Sequence, residues 1–303
     1  MRSSLLVILP VLWVVSCGSP ELDDPETLDD IIAEAIDKDK LQERGNEGEE
    51  LFYAPNMQTP YTGWVKDMHQ NGQVKLLAHI KDGDEKSDGL STEWYENGQK
   101  ETEVNYKNDK IEGLRTWWYE NGQKETEVNY KNGKIEGLRT WWYENGQKQF
   151  EENYKEGKKD GLATEWYENG QKKFEENYKD GKREGLRTAW DENGQKQGEL
   201  NFKNGIEDGL FTMWYENGQK LVEENIKDGK SEGLLTMWYE NGQKQGEENY
   251  KDGKLVSSTV WKPNGEKCSI TNVVDGNGVA VVYNDDGTED RRNTYKNGEL
   301  IDD

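Results

Sequence analysis

The sequence predicts an all-β protein: an elongated, single-layer antiparallel β-meander of about ten 24-residue hairpin repeats, with a short N-terminal capping helix. The first observation behind this prediction is the heptad Trp-Tyr-Glu-Asn-Gly-Gln-Lys at 94–100, which recurs at intervals of 24 residues. A fixed period of this size is typical of a repeat array. The second is that 12 Trp, 15 Tyr and 33 Gly largely follow this period, as expected of successive hairpins.

The composition indicates a thin structure rather than a compact globule. Of 303 residues, only 31% are hydrophobic and 33% are charged, which is too few aliphatic residues for a large single core. An array with much surface per residue fits these values. The net charge of −23 disfavours nucleic acid as a partner, because the phosphates would be repelled. It equally disfavours broad adhesion to anionic headgroups.

Residues 1–16 are predicted to be a signal peptide. Arg2 precedes an apolar run from Leu5 to Val15, which is too short to span a bilayer as a helix. The end of this run, Val-Val-Ser-Cys at 14–17, resembles the bacterial lipobox. That resemblance implies cleavage before Cys17 and a lipid on its sulfur. The alternative is an ordinary signal peptide with an incidental cysteine.

The cysteine count and the residue after Cys17 complete this prediction. The sequence has two cysteines, Cys17 and Cys268, so an acylated Cys17 leaves no disulfide framework. Gly18 occupies the position where Asp would signal retention in the inner membrane, so the lipobox resemblance implies the outer membrane. The chain is therefore predicted to be exported and lipid-anchored in a bacterial cell envelope.

A tether and a helix are predicted between the anchor and the array. Residues 17–26 are polar and contain proline, as is typical of a linker. Within the lead-in 27–60, the apolar spacing predicts a helix over 27–44, capped by Thr27 and ended by Gly45. We expect this helix to cover the exposed edge of the first hairpin. The alternative is a partner-binding helix.

The array is predicted over 61–303, with core copies at 89–256 and decayed C-terminal copies at 257–303. In one copy, 114–119 is a strand, 120–122 a turn and 124–130 the return strand. Pro263 occupies the position of Glu120 in a later copy, which favours a three-residue loop with a glycine bulge over a two-residue Asn-Gly loop. The turn glycines are Gly98, Gly122, Gly146, Gly170, Gly194, Gly218 and Gly242, with looser copies at Gly72, Gly265 and Gly287.

A ladder of aromatic rings is predicted to stabilise the single sheet. It comprises Trp94, Trp118, Trp142, Trp166, Trp190, Trp214, Trp238 and Trp261. The loop type predicts that Trp118 lies opposite Lys124, Thr116 opposite Thr126 and Leu114 opposite Val128. Arg115, Trp117, Glu125 and Glu127 would share the other side. Glutamate recurs at the position of Glu127 in seven copies, and we expect Lys107, Lys131 and Lys155 to balance its charge.

The repeated Gly, Trp-Tyr-x-Asn-Gly and Tyr-Lys-Asn/Asp-Gly-Lys pattern over about 61–300 resembles the bacterial variant of the MORN repeat. The resemblance implies a twisted, elongated β-meander. Some bacterial proteins built of this repeat are labelled antitoxins, and eukaryotic MORN arrays are scaffolds that are often linked to membranes. These roles are implied only for the whole array and not for single residues.

No arrangement of residues predicts catalysis, a cofactor or a metal site. The two histidines, His69 and His79, occupy the Tyr119 and Asn129 positions of a divergent first copy, so they are interpreted as structural substitutions. Nothing predicts a nucleophile with an oriented base. The acidic stretch 82–89 lacks the ligand spacing of a calcium loop and is interpreted as an enlarged turn.

Two functions from different classes remain open. The first is a non-enzymatic, membrane-anchored scaffold or spacer that binds an unknown protein, with toxin neutralisation as a special case. The second is a glycan-binding surface formed by Trp117, Tyr119, Trp141 and Tyr143, whose rings would stack on sugars or quaternary ammonium groups.

Overall fold

The computed structural model describes residue 22 and residues 24–46, 50–84 and 88–301. The predicted signal peptide and Cys17 lie outside the described residues. The chain divides into two compact units. The first contains the described residues up to Gly98 together with Asn105–Lys110, and the second contains Gln99–Val104 and the chain from Ile111 onward.

The first unit begins with helix α1, Pro25–Glu34. The Asp24 carboxylate caps it by accepting the Thr27 N–H at 3.0 Å, and Pro25 suits the first helical turn. The predicted helix 27–44 is wrong at both ends. It begins at Pro25 with Asp24 rather than Thr27 as its cap, so the predicted tether 17–26 is too long. It ends at Glu34, because Ala35 is extended and the following residues form strand β1 and other short elements. Neither α1 nor any other helix in the described ranges has the length and apolarity to cross a bilayer.

Short elements connect α1 to the first hairpin. Their bounds are β1 (Ile36–Asp37), a 3-10 helix (Lys38–Lys40), β2 (Gln42–Arg44) and β3 (Leu51–Tyr53), followed by β4 (Gly63–Met68), β5 (Val74–Ile80) and β6 (Asp88–Trp94). β1 pairs in parallel with β4, and β2 pairs with β3. β1 therefore covers the edge of β4, a role that was expected of the helix.

Both faces of the first hairpin are covered by the segment that precedes it. On one face, Leu28, Ile31 and Ile32 of α1 pack in a cluster with buried Leu77 and Trp94. On the other face a second apolar cluster contains Val65, Ala78 and Ile80, packed against Leu41, Phe52 and Tyr61. The N-terminal segment thus gives this hairpin a core on each side.

The second unit is a succession of antiparallel hairpins. β7 (Lys100–Lys107) and β8 (Lys110–Ile111) precede β9 (Gly113–Trp118), β10 (Lys124–Lys131), β11 (Lys134–Trp142), β12 (Lys148–Lys155), β13 (Lys158–Trp166), β14 (Lys172–Lys179), β15 (Lys182–Arg183), β16 (Gly185–Trp190), β17 (Lys196–Lys203), β18 (Ile206–Trp214), β19 (Lys220–Lys227), β20 (Lys230–Trp238), β21 (Lys244–Lys251) and β22 (Lys254–Val260). Neighbouring strands from β9 to β22 pair in chain order. The predicted fold class, consecutive antiparallel hairpins after a short helix, is confirmed.

The hairpin turn is the predicted three-residue loop. The Tyr119 N–H donates to the Gln123 carbonyl at 2.9 Å, and the Gly122 N–H donates back to the Tyr119 carbonyl at 2.8 Å. Gly122 has φ +83°, a conformation that favours glycine. Each of the ten predicted turn glycines donates to the carbonyl three residues earlier, with φ between +81° and +85°.

The predicted register holds at Trp118, which lies opposite Lys124, and is wrong beyond it. A second bulge at Lys124–Glu125 shifts the pairing by one residue, so Thr116 lies opposite Glu127 and Leu114 opposite Asn129. We call the side with the positions of Leu114, Thr116, Trp118, Glu127 and Asn129 the ladder face. The other side, with the positions of Arg115, Trp117, Thr126, Val128 and Tyr130, is the variable face.

The C-terminal copies leave the meander. The strands β23 (Gly278–Tyr283), β24 (Glu289–Lys296) and β25 (Glu299–Ile301) form a separate three-stranded sheet. The expectation of one meander to the end is therefore wrong. After Lys267 the described chain forms no return strand, and Cys268 is buried among Val260, Val281 and Tyr283.

Candidate interaction surfaces

On the ladder face, lysines bridge the predicted tryptophans. The ammonium of Lys124 lies 5.8 Å from the ring centroid of Trp142 in the next copy, a distance suited to a cation–π interaction. The same contact joins Lys100 to Trp118, Lys148 to Trp166, Lys172 to Trp190 and Lys220 to Trp238. In these five copies the final lysine of the heptad thus connects one copy to the next.

The same lysines neutralise the glutamate row. Lys124 forms an ion pair with Glu127, and Lys100 pairs with Glu103 at 2.7 Å. The pairing recurs at Lys148–Glu151, Lys172–Glu175, Lys196–Glu199, Lys220–Glu223 and Lys244–Glu247. The prediction that Lys107, Lys131 and Lys155 balance these glutamates is wrong, because the bulge at Lys124–Glu125 brings the heptad lysine beside the glutamate.

In most copies, tyrosine and asparagine side chains of one turn form hydrogen bonds to the next turn. The Tyr119 hydroxyl donates to the Trp142 carbonyl at 2.7 Å, and the Asn121 amide donates to the Glu144 carbonyl at 2.9 Å. Tyr143 makes the equivalent bond to the Trp166 carbonyl. In the first unit His69 replaces the tyrosine, with its Nε2 2.7 Å from the Trp94 carbonyl. The interpretation of His69 as a structural substitution is therefore confirmed.

A row of acidic residues accepts hydrogen bonds from the turns that join one copy to the next, and the sequence analysis did not predict it. The Glu112 carboxylate accepts the Asn132 N–H at 2.6 Å, where Asn132 has φ +52°. The bond recurs from Glu136 to Glu156, Asp160 to Asp180, Glu184 to Asn204 and Glu232 to Asp252. The signal was an acid directly before the repeat glycine or its equivalent, always twenty residues ahead of the turn residue.

The variable face differs from copy to copy. Across the strands, the row that starts at Trp117 continues with Thr126, Trp141, Phe150, Glu165, Phe174, Ala189, Gly198 and Met213. The row that starts at Arg115 continues with Val128, Arg139, Glu152, Ala163 and Glu176. These two rows give each copy its own chemistry, whereas the ladder face repeats.

A groove of about 270 Å³ lies on the variable face between Trp117 and Trp141. Its lining includes Thr126, Val128 and Arg139. The Arg115 guanidinium lies 4.1 Å from the Trp117 ring centroid, and that of Arg139 lies 3.8 Å from the Trp141 centroid. The structure therefore brings the two predicted tryptophans to one groove.

The other two predicted ligand-face residues, Tyr119 and Tyr143, are not among the residues that line this groove. Their hydroxyls bond to backbone carbonyls of the next copy. Burial, followed by the nearby carboxylates, raises the pKa of Tyr119. These tyrosines thus support the turns rather than form a ring platform with the tryptophans.

Two buried glutamates on the variable face have cationic and phenolic partners. Glu152 forms an ion pair with Lys159 and accepts the Tyr154 hydroxyl at 2.7 Å. Burial, and then the bond to Glu152, raises the pKa of Tyr154 to about 12. Glu176 accepts bonds from Tyr178 and Arg183, each at 2.8 Å. Such pairing offsets the cost of removing a carboxylate from water.

A fold of stacked copies with one repeating and one changing face defines a repeat protein of the interaction type. Seven consecutive segments match the sequence profile of the MORN repeat variant, at residues 87–108, 111–132, 135–156, 159–180, 183–204, 207–228 and 231–252. Together they cover about half of the chain, which therefore belongs to the MORN repeat variant family. None of the curated proteins with which it was compared matches it.

Proposed function

We propose that the protein is a non-enzymatic scaffold, anchored by a lipid on Cys17 to the outer membrane of a bacterial cell envelope, that binds another protein through its array. The observation that carries this proposal is the difference between the two faces of the second unit. The ladder face uses the same lysine, glutamate and tryptophan contacts in copy after copy. The variable face presents a different set of side chains in each copy.

This division of roles supports binding rather than a purely spacing role. If the array were only a spacer, both faces would be free to repeat the same residues. Instead, the Trp117 position holds Trp141, Glu165, Ala189 and Met213 in the following copies. An array whose copies stabilise one another, and whose variable face changes along its length, suits an extended protein partner. A toxin would be a special case of such a partner, and would have to act outside the cytoplasm.

The anchor is supported by the N-terminal sequence. The apolar run ends in the lipobox-like Val-Val-Ser-Cys, and the polar residues 18–21 separate Cys17 from Leu22, which packs in the cluster with α1. One acyl-bearing residue with two or more chains would hold the array at the membrane.

Membrane fractionation of cells that express the wild type or Cys17→Ala tests the anchor. We expect the wild type in the membrane fraction, with acyl mass on residue 17 in the intact mass spectrum. Cys17→Ala should be released or remain unprocessed. Cys268→Ala, the only other cysteine variant, is the matched control and should stay with the membrane. A wild type without acyl mass in the soluble fraction would contradict the anchored scaffold.

Glycan binding is a second candidate, supported by the groove between Trp117 and Trp141. Two indole rings with guanidinium groups beside them suit sugar rings that stack on aromatics and hydrogen-bond to charged side chains. Trp117→Ala and Trp141→Ala should then abolish retention on immobilised envelope polysaccharide while the far-UV spectrum is unchanged. Met213→Ala, in the same row outside the groove, is the control. Retention that is equal in all variants would exclude this candidate.

A further inference from the structure

Six leucines form an exposed row on the ladder face of the second unit. We call this row the leucine stripe; it comprises Leu114, Leu138, Leu162, Leu186, Leu210 and Leu234, with relative exposures of 41–50%. A single exposed leucine is ordinary. Six at one repeated position in a chain that is only 31% hydrophobic are a regular apolar feature on an otherwise charged surface.

The asparagines next to the stripe form hydrogen bonds to the backbone and do not cover the leucine side chains. Leu114 lies opposite Asn129, whose amide donates to the Glu136 carbonyl at 2.8 Å. Asn153 likewise donates to the Leu162 carbonyl at 2.9 Å. Because the asparagines are engaged with the backbone, the leucine side chains remain the apolar part of this surface.

The first unit shows how the same position is covered. Trp64 and Leu90 occupy the leucine position there, on β4 and β6, and pack with Leu28, Ile31 and Ile32 of α1. These two positions are two strand spacings apart, roughly 10 Å. A helix repeats its face every seven residues, about 10.5 Å. One amphipathic helix can therefore contact the leucine positions of two neighbouring copies.

We propose that the leucine stripe is a docking site for an amphipathic helix of a partner protein, in the manner in which α1 covers the first hairpin. This inference rests on the proposed scaffold role and adds a second binding surface, on the ladder face, to the variable face proposed above. The helix would present apolar residues at spacings of three, four and seven, as helices do when they dock in grooves.

The charges beside the stripe define the edges of that helix. Where α1 covers the first hairpin, Val74 and Leu77 take the positions of Lys124 and Glu127, so a broad apolar face fits there. In the second unit the Lys124–Glu127 pair is present, and burying it under apolar residues would be costly. The partner helix must therefore have a narrow apolar stripe with charged flanks. An excess of lysine or arginine on those flanks suits the net charge of −23.

Fluorescence anisotropy with a labelled probe peptide tests this inference on the full chain. The probe is a 21-residue peptide of three heptads, with leucine at two positions of each heptad and mainly lysine on the flanks. A peptide of the same composition in scrambled order is its control. We expect saturable binding of the probe and at least a tenfold weaker affinity for the scrambled peptide.

Variants of the chain show where the probe binds. Leu138→Thr with Leu162→Thr keeps strand propensity and should weaken binding at least tenfold, and Leu162→Thr alone should weaken it by a smaller factor. Ile206→Thr is the matched control, because Ile206 is 51% exposed but lies outside the stripe. We expect it to bind the probe as the wild type does.

Three results would overturn the inference. The first is no saturable binding of the probe, and the second is equal binding by the wild type and the leucine variants. The third is that light scattering shows a dimer of the wild type and a monomer of the leucine variants, since a second copy would then occupy the stripe. The membrane anchor is tested separately by the Cys17 fractionation, so a failure of the probe rejects the helix-docking site and leaves the anchored array unaffected.

Discussion

The first hairpin and the copies of the second unit place different residues in equivalent positions. In the first hairpin, Leu77 lies opposite Thr92 and is fully buried beneath α1. In the second unit, Glu127 lies opposite Thr140 and pairs with Lys124. The backbone is the same three-residue loop in both. The same position of the ladder face can therefore hold a buried apolar side chain where another element covers it, or a solvated ion pair where none does.

The largest difference in stability between the two units is expected at the tryptophan position. Trp94 is 4% exposed in the core of the first unit, whereas Trp166 is half-buried beneath Lys148. Trp94→Ala should cost about 3–5 kcal/mol, as for a buried aromatic. Trp166→Ala should cost roughly 2 kcal/mol, since less apolar area is lost. Urea unfolding of both variants measures this, and equal losses would contradict the distinction.

The turn glycines give a smaller difference. Gly72 of the first hairpin has φ +85° and open space where a Cβ would lie. At Gly122 a Cβ would lie 2.6 Å from the Gln99 side-chain oxygen. Gly72→Ala should cost about 1 kcal/mol for the left-handed backbone. Gly122→Ala should cost a few tenths more, because Gln99 must move. Thermal unfolding of the two variants, with Gly198→Ala as a control at ordinary φ, tests this order.

Salt should affect the position of the heptad lysine in the second unit but not the same position in the covered hairpin. Lys148→Met removes the exposed pair with Glu151 and should cost about 0.2–0.5 kcal/mol at low salt. This loss should shrink toward zero at 1 M salt, where the Debye length is about 3 Å. Val74→Met, at the same position of the first hairpin, should show no salt dependence. A salt-dependent loss of stability in Val74→Met would contradict this expected difference between the two positions.

The pH dependence should differ between two copies within the second unit. Tyr154 has a pKa of about 12 against roughly 10 in an unfolded chain. The folded state favours the neutral phenol, so this stabilisation is complete below pH 10 and is lost between pH 10 and 12. The fall in unfolding midpoint over this range should be smaller in Tyr154→Phe. Tyr130→Phe, with Val128 in place of the glutamate, is the control, and an equal change in both variants would contradict the role of Glu152.

Much of the fold could be predicted because the residues that form each turn recur at a fixed period in the sequence. The glycine of each heptad and Pro263 identified the loop, and the period placed the tryptophans. The second bulge at Lys124–Glu125 could not be predicted, since one inserted backbone residue leaves the sequence pattern unchanged. The end of α1 was also missed, because Ile36 leaves the helix for a parallel pairing with Val65, a tertiary contact.

The candidate surfaces were predicted in part for the same reasons. Trp117 and Trp141 fall on one face in neighbouring copies, so their common groove followed from the period. The assignment of Tyr119 to that groove failed because its hydroxyl bonds across copies. The leucine stripe was not predicted, since the exposure of its side chains depends on which other element packs against them, and none of the described residues of the second unit covers them. The sequence of a single copy contains no information on that cover.

Hydrogen exchange of the full chain, measured by mass spectrometry on Leu77→Glu and Glu151→Leu, shows whether the same repeat position is core in the first unit and surface in the second. We expect Leu77→Glu to lose amide protection over residues 24–84, because a carboxylate would be buried without a partner. Glu151→Leu should keep wild-type protection over residues 113–260. Wild-type protection in Leu77→Glu, or a comparable loss in Glu151→Leu, would contradict the account.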